Sequence, residues 1–294
     1  MALLYFWRGD NYRRDLDMGA GYHLNQSNAL LHSLPVGDSL WAFTRNRNGD
    51  YVMAAELVIS AKTRNPPTFR YGGYRVWGDL EKSRYFRADQ QQRVEPLIRS
   101  LSCGPKADVL GRSFQGRSAV RTLTDADHAL LRTYTATLPL EPRARLLPED
   151  DLEQALSTGS AEEVQRLLQH TPNGLARARM EYLYGKAPTR SRKLATDLHE
   201  MYCGRCQICL WNPCEKYGPH LCQGHHIHWL SRGGEDRLEN MVLVCPNHHA
   251  AIHKCDAVFD YGDMSFVFPR YRGVLQINSH ISTHEKTGGL PFTV

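Results

Sequence analysis

Seven of the eight cysteines fall between Cys203 and Cys255, and six of the 14 histidines fall between His225 and His253. No other feature constrains the fold as much. Clustered cysteines in a chain of this length point to metal ligation rather than to disulfides. Spacing separates two sets of ligands. Cys206-x-x-Cys209 and Cys245-x-x-His248 are two tight turns, each presenting a pair of soft ligands, and together they make a closed tetrahedral zinc site. Such a site staples a small fold whose core is too small to stand alone. Cys203 could replace either N-terminal cysteine. Cys214, Cys222 and Cys255 have no assigned role.

The second set is His225, His226, Asn240, His249 and His253. A helix is predicted after Pro246. On it His249 and His253 stand four residues apart and share one face. His248, about 100° around the same helix, is free to turn towards the zinc. His225 and His226 open a strand-like piece, HHIHWL, before Gly233-Gly234. Neighbours on a strand point opposite ways, which suits one imidazole on a metal and one on water. A zinc-binding module with incidental histidines is the alternative, but a zinc staple does not need six of them.

The order His225-His226-Ile227, Gly233-Gly234, Asn240-x-Val242-x-Val244-Cys245-x-x-His248-His249-x-x-x-His253 resembles the HNH, or ββα-metal, nucleases over roughly 50–60 of the 294 residues. The resemblance implies that His225 is the first metal ligand, His249 the second and His253 a third. It implies that His226 is the general base and that Asn240 fixes the active-site loop. One departure is His248, where the family usually has a cysteine; a Cys3His site remains chemically sound. The implied reaction is phosphodiester hydrolysis. A neutral imidazole takes the proton of an in-line water, and Mg²⁺, Mn²⁺ or Ni²⁺ grips the phosphate and leaving oxygen.

The first hundred residues are β-rich. SLWAFT (39–44) and YVMAAELVIS (51–60) flank the turn cluster Asn46–Asp50, a hairpin signal. The Gly37-Asp38 turn before Ser39–Phe43, followed by the strand Met53–Ile59, is similar to the small barrels of the PUA-like superfamily (EVE, ASCH and SRA domains). That resemblance implies a closed β-barrel that reads a modified base flipped from DNA. Trp7, Tyr22, Trp41, Tyr74 and Trp77 are candidate pocket walls, although each aromatic also reads as core. The Gly111–Arg121 loop is a candidate DNA wedge, with Arg112, Phe114, Gln115 and Arg117 as its contacts. Thr124-Asp125-Ala126-Asp127 caps a helix running to about Leu138.

The fold class is therefore α+β. A PUA-like reader is expected over 1–138, a helical basic linker over 139–200 and a zinc-stapled HNH domain over 201–294. The net charge of +5 permits a polyanionic partner, and residues 64–99 carry eight Arg/Lys against four Asp/Glu. No apolar run reaches the ~18–20 residues of a membrane span, and the apolar start lacks the leading basic residues of a signal peptide, so a cytoplasmic location is expected. The expected function is a metal-dependent endonuclease acting on double-stranded DNA with methylated or hydroxymethylated cytosine. One site cuts one strand, so a homodimer is expected. The alternatives are an HNH nuclease that reads DNA or RNA by shape, and a non-catalytic zinc module that binds nucleic acid.

Overall fold

The computed structural model describes residues 1–17, 23–79, 81–105, 107–141, 151, 153, 162, 163, 166, 190–230 and 234–283. The chain divides into two compact units. The first comprises Met1–Lys62, Tyr74–Leu147 and Leu167–Tyr182; the second comprises Thr63–Gly73, Pro148–Arg166 and Leu183–Val294.

The first unit is built on one sheet. Its strands are β1 (Ala2–Phe6), β2 (His23–Gln26), β3 (Ser39–Arg45), β4 (Tyr51–Arg64), β5 (Tyr74–Gly78), β6 (Arg84–Tyr85) and β7 (Val120–Leu123), and the order is β2-β5-β4-β3-β1-β7, with β6 pairing β4. β3 and β4 form the hairpin that their sequence predicts, in register from Ser39↔Val58 to Arg45↔Tyr51. The register shifts between Ala42 and Phe43. Across this bulge β4 changes the parity of its packing: Tyr51 and Met53 face one core, and Ala55, Leu57 and Ile59 face the other.

The expected closed barrel does not form. Among the described residues no ladder joins the two end strands, β2 and β7, so the sheet is open. The physical reason lies in what covers it. Helices α1 (Gly9–Asp17) and α2 (Leu30–Ser33) bring Tyr12 and Leu31 against Tyr5, Leu40 and Leu57 on one face. Helices α3 (Glu95–Ser100) and α4 (Asp125–Thr135) bring Ile98 and Leu131 against Leu4, Trp41, Phe43 and Met53 on the other. Central strands buried on both faces read as continuous apolar runs, and β3 and the first half of β4 are such runs. A sheet with helices on both faces buries its strands without closing on itself.

α4 begins as its sequence predicts. The Thr124 side chain accepts from the Asp127 amide, and the Asp127 carboxylate accepts from the Thr124 amide. A cap of this kind contributes ~1 kcal/mol. The helix ends at Thr135, a turn short of Leu138.

The second unit contains α5 (Arg190–Tyr202), α6 (Pro213–Tyr217), β8 (Gln223–His226), β9 (Met241–Val244), α7 (Pro246–Lys254) and the hairpin-derived sheet β10 (Val258–Asp260), β11 (Ser265–Val267) and β12 (Arg272–Val274). β8 pairs antiparallel with β9, His226 opposite Met241, and α7 completes a ββα unit. Its core joins Leu198, Val242, Leu243, Val244, Ile252 and Phe266. The helix read at 152–169 falls outside the described residues, except that Glu153, Glu162, Glu163 and Arg166 are helical.

Candidate active site

Two groups of ligand-bearing side chains form in the second unit. In the first, ligand atoms of Cys206, Cys209, Cys245 and His248 all lie within 4.8 Å of one another. The Cys245 Sγ to His248 Nδ1 distance is 3.2 Å, Cys206 Sγ to His248 Nδ1 is 3.6 Å, and Cys209 Sγ to Cys245 Sγ is 3.9 Å. Bonds of about 2.3 Å to sulfur give tetrahedral edges of ~3.8 Å, so the four could hold zinc. Cys245 is the N-cap of α7, which puts His248 in its first turn. Leu210, with φ of 63°, turns the chain sharply after Cys209. The Cys206 thiol is pushed down to about 3, first by a hydrogen bond from Cys245 and then, against the opposing effect of burial, by one from His248. Cys245 is raised in turn, chiefly through Cys206. The group thus carries a thiolate already suited to a metal. Burial pushes Cys222 up to about 12, which leaves it a protonated, inert thiol.

The second group is Glu153, His225, His249 and His253, again with ligand atoms within 4.8 Å of one another. β8 supplies His225, and α7 supplies His249 and His253 from one face. The His225 ring stands 5.3 Å from that of His249 and 4.8 Å from that of His253, nearly perpendicular to both. His225 is fully buried, and neither of its ring nitrogens has a hydrogen-bond partner. Burial pushes its pKa down to about 4, with Glu153 opposing, so the ring is neutral at pH 7. A neutral, buried imidazole with unsatisfied nitrogens among two further histidines fits a divalent ion.

His226 lies beside this group. Its Nε2 is 3.0 Å from Asp236 Oδ1, and its Nδ1 is 2.8 Å from Glu153 Oε1. The opposed directions expected of His225 and His226 do not carry through: Glu153 Oε1 lies 3.8 Å from His225 Nδ1 as well, and it accepts from the His226 amide at 3.1 Å. His226 is the last residue of β8, so the carboxylate at the strand end reaches both rings. Asn240 pins the connecting loop. Its Nδ2 donates to His228 O at 2.9 Å and Glu235 O at 2.7 Å, and its Oδ1 accepts from the His228 amide at 2.8 Å.

Sequence reasoning missed Glu153 and Asp236. Asp236 lies in the loop that Asn240 pins, close enough in sequence to be weighed. Glu153 is 73 residues from His226, and no local signal marks it. Burial would raise the Glu153 pKa, but the His225 ring 3.8 Å away and hydrogen bonds with His226 and His249 outweigh it and hold the carboxyl well below the usual range.

The first unit places its candidate pocket residues mostly in the core. Trp41 is fully buried, and Trp7 and Trp77 are buried. Tyr74 is half-buried, its ring 4.6 Å from His32. Tyr22 lies outside the described residues. Phe114 is not an exposed tip: it packs edge-on against Phe43 at 4.9 Å, with the Arg121 guanidinium 5.0 Å from its ring. Two 3-10 turns, Leu110–Ser113 and Gly116–Ser118, tuck it inward. Gly111 lets them do so, because a Cβ there would come within 2.8 Å of the Phe6 ring. Arg112, Gln115 and Arg117 remain exposed.

Residues 206–254 match the family model of the HNH endonucleases. Over 75 residues the chain is 29% identical to Anaredoxin from Nostoc sp. (strain PCC 7120 / SAG 25.82 / UTEX 2576), a match covering 26% of this chain and 91% of that protein. Two solved structures are similar. The type IV phosphorothioation-dependent restriction endonuclease ScoMcrA matches with a TM-score of 0.20 at 17% identity over 74% of this chain and 42% of its own. The modification-dependent TagI restriction endonuclease matches with a TM-score of 0.27 at 11% identity over 95% of this chain and 77% of its own. This chain therefore spans 42% of the length of the first of the two structures. The segment from Cys206 to Lys254, with the ββα unit and its histidines, is an HNH endonuclease domain.

Proposed function

We propose that the whole chain is a metal-dependent DNA endonuclease whose first unit recognises DNA carrying modified cytosine. The observation that carries the nuclease reading is the placement of His226 between Asp236 and Glu153, whose carboxylate also adjoins the His225–His249–His253 group. His225, His249 and His253 would hold a divalent ion, which supplies charge stabilisation for the phosphodiester and its leaving oxygen. His226 Nδ1 faces the same space and accepts the proton of the attacking water. Asp236 holds the proton on Nε2, which keeps the Nδ1 lone pair available and stabilises the imidazolium that forms. Asn240 keeps the loop bearing Asp236 in place. General base catalysis of this kind supplies ~10²–10⁴-fold. Cys206, Cys209, Cys245 and His248 would hold zinc as a structural staple. One site cuts one strand, so a double-strand break takes two copies of the chain or two visits by one.

Modified cytosine as the substrate rests on the resemblance of the Gly37-Asp38 turn ahead of β3 to PUA-like base readers, a resemblance that does not extend to a closed barrel. A second reading is a shape-reading first unit indifferent to modification, and the burial of Trp7, Trp41 and Trp77 favours it, because buried rings offer no open walls. Cleavage of matched plain, methylated and hydroxymethylated duplexes with Mg²⁺, Mn²⁺ and Ni²⁺ separates the two. Cutting confined to modified duplexes supports the first reading; equal cutting of all three refutes it.

A further inference from the structure

We infer that Glu153 is a fourth ligand of the histidine-held metal, in a resting state that the scissile phosphate must displace; this rests on the nuclease reading above for the phosphate, but not for the ligation. The distances support ligation. Glu153 Oε2 lies 3.3 Å from His249 Nε2 and 3.7 Å from His253 Nε2, His249 Nε2 and His253 Nε2 are 3.3 Å apart, and Glu153 Oε1 is 3.8 Å from His225 Nδ1. Nitrogen and oxygen ligands at about 2.0–2.1 Å from a tetrahedral ion stand ~3.4 Å apart. The observed spacings lie near that edge, and one ligand atom from each of the four side chains lies within 4.8 Å of the other three, so the four could close on one ion, with Glu153 as the ligand that the HNH segment does not supply. The fully buried His225, whose nitrogens have no hydrogen-bond partner, points independently to an ion at the centre.

Displacement follows from what else the carboxylate touches. Four protein ligands close a site, whereas hydrolysis needs an open position. Glu153 Oε1 also stands 2.8 Å from His226 Nδ1, where the attacking water would have to be. One carboxylate thus fills the positions of the water and of a phosphate oxygen. With Asp236 3.0 Å from Nε2 and Glu153 2.8 Å from Nδ1, both ring nitrogens of His226 face carboxylates, and Nδ1 has no room for the water. A phosphate entering this space would bring a second anion against Glu153, and like charges at such range exclude one another. Glu153 lies outside the ββα unit that supplies His225, His249 and His253, so the three histidines can keep the ion without it.

The test uses the full chain loaded with zinc at the cysteine site, titrated with Mn²⁺ and followed by the electron paramagnetic resonance signal of free Mn²⁺. Plasmid nicking at saturating Mn²⁺ is measured on the same proteins. Glu153→Gln keeps the shape and removes the charge. It is expected to weaken Mn²⁺ binding at least tenfold and to speed nicking severalfold. Glu153→Asp, which keeps the charge on a shorter arm, serves if the glutamine variant does not fold, and it is expected to shift both readouts the same way by less. Unchanged Mn²⁺ affinity overturns the ligation. Unchanged or slower nicking at saturating Mn²⁺ overturns the displacement. Weakened Mn²⁺ binding in proteins that nick no DNA would leave Glu153 a ligand and refute the nuclease reading instead.

Discussion

Replacing Asp236 with asparagine isolates the part of the catalytic account that sequence did not supply. The Asp236 side chain is only 7% exposed and lies 3.0 Å from His226 Nε2. In the proposed reaction His226 becomes an imidazolium, and its bond to Asp236 becomes charge-assisted. A hydrogen bond to a charged group contributes ~1.5–3 kcal/mol, so its loss slows the chemical step by roughly 10- to 150-fold. The amide can also turn its NH₂ towards Nε2, which forces the proton onto Nδ1 and deepens the loss. The assay is single-turnover nicking of supercoiled plasmid at saturating metal, with zinc content and melting temperature as controls. The acidic limb of the pH–rate profile is expected to move to lower pH, since a neighbouring negative charge favours the charged imidazole. A variant that folds, keeps its zinc and nicks within about twofold of the parent would refute the role of Asp236 and fall below the smallest loss expected here.

Cys206→Ser, or strong chelation, is expected to unfold the second unit, because zinc binding is folding free energy there; circular dichroism and zinc content check this, and an active, folded Cys206→Ser protein contradicts it. Asn240→Ala removes three hydrogen bonds from a buried side chain, which costs about 2–4 kcal/mol and releases the loop carrying Asp236; thermal melts and nicking rates are both expected to fall. His225 titrates near 4 when folded against 6.5 ordinarily. The unfolded chain therefore binds more protons between these values, and stability present above pH 6.5 is lost as the pH falls towards 4. On the order of 3 kcal/mol is at stake, read from melts of the metal-free histidine site across that window, and a pH-independent melt contradicts it.

Much of the second unit was legible in the sequence because metal ligation imposes spacing. Two ligands on one tight turn, or four residues apart on a helix, leave a pattern in the chain itself. Asn240 was legible through its place in the HNH motif. Glu153 was not, because a side chain that arrives from a separate segment leaves no local mark. In the first unit the strands were legible as apolar runs, but whether a sheet closes depends on pairing between its end strands and on what covers its faces. The continuous burial of β3 and early β4 was in fact a sign of two covered faces. Phe114, flanked by Gly111 and Gly116, read as an exposed tip. Gly111 instead permits a close approach that buries it.

The central claim is that His226 deprotonates water beside a metal held by His225, His249 and His253. Single-turnover nicking by the parent chain and by His226→Ala, at matched zinc content and DNA affinity, tests it most directly. Divalent-metal-dependent nicking by the parent and its loss in the variant by ~10²-fold or more are expected. Nicking at the parent rate by His226→Ala, or none by the parent with Mg²⁺, Mn²⁺ or Ni²⁺, would contradict it.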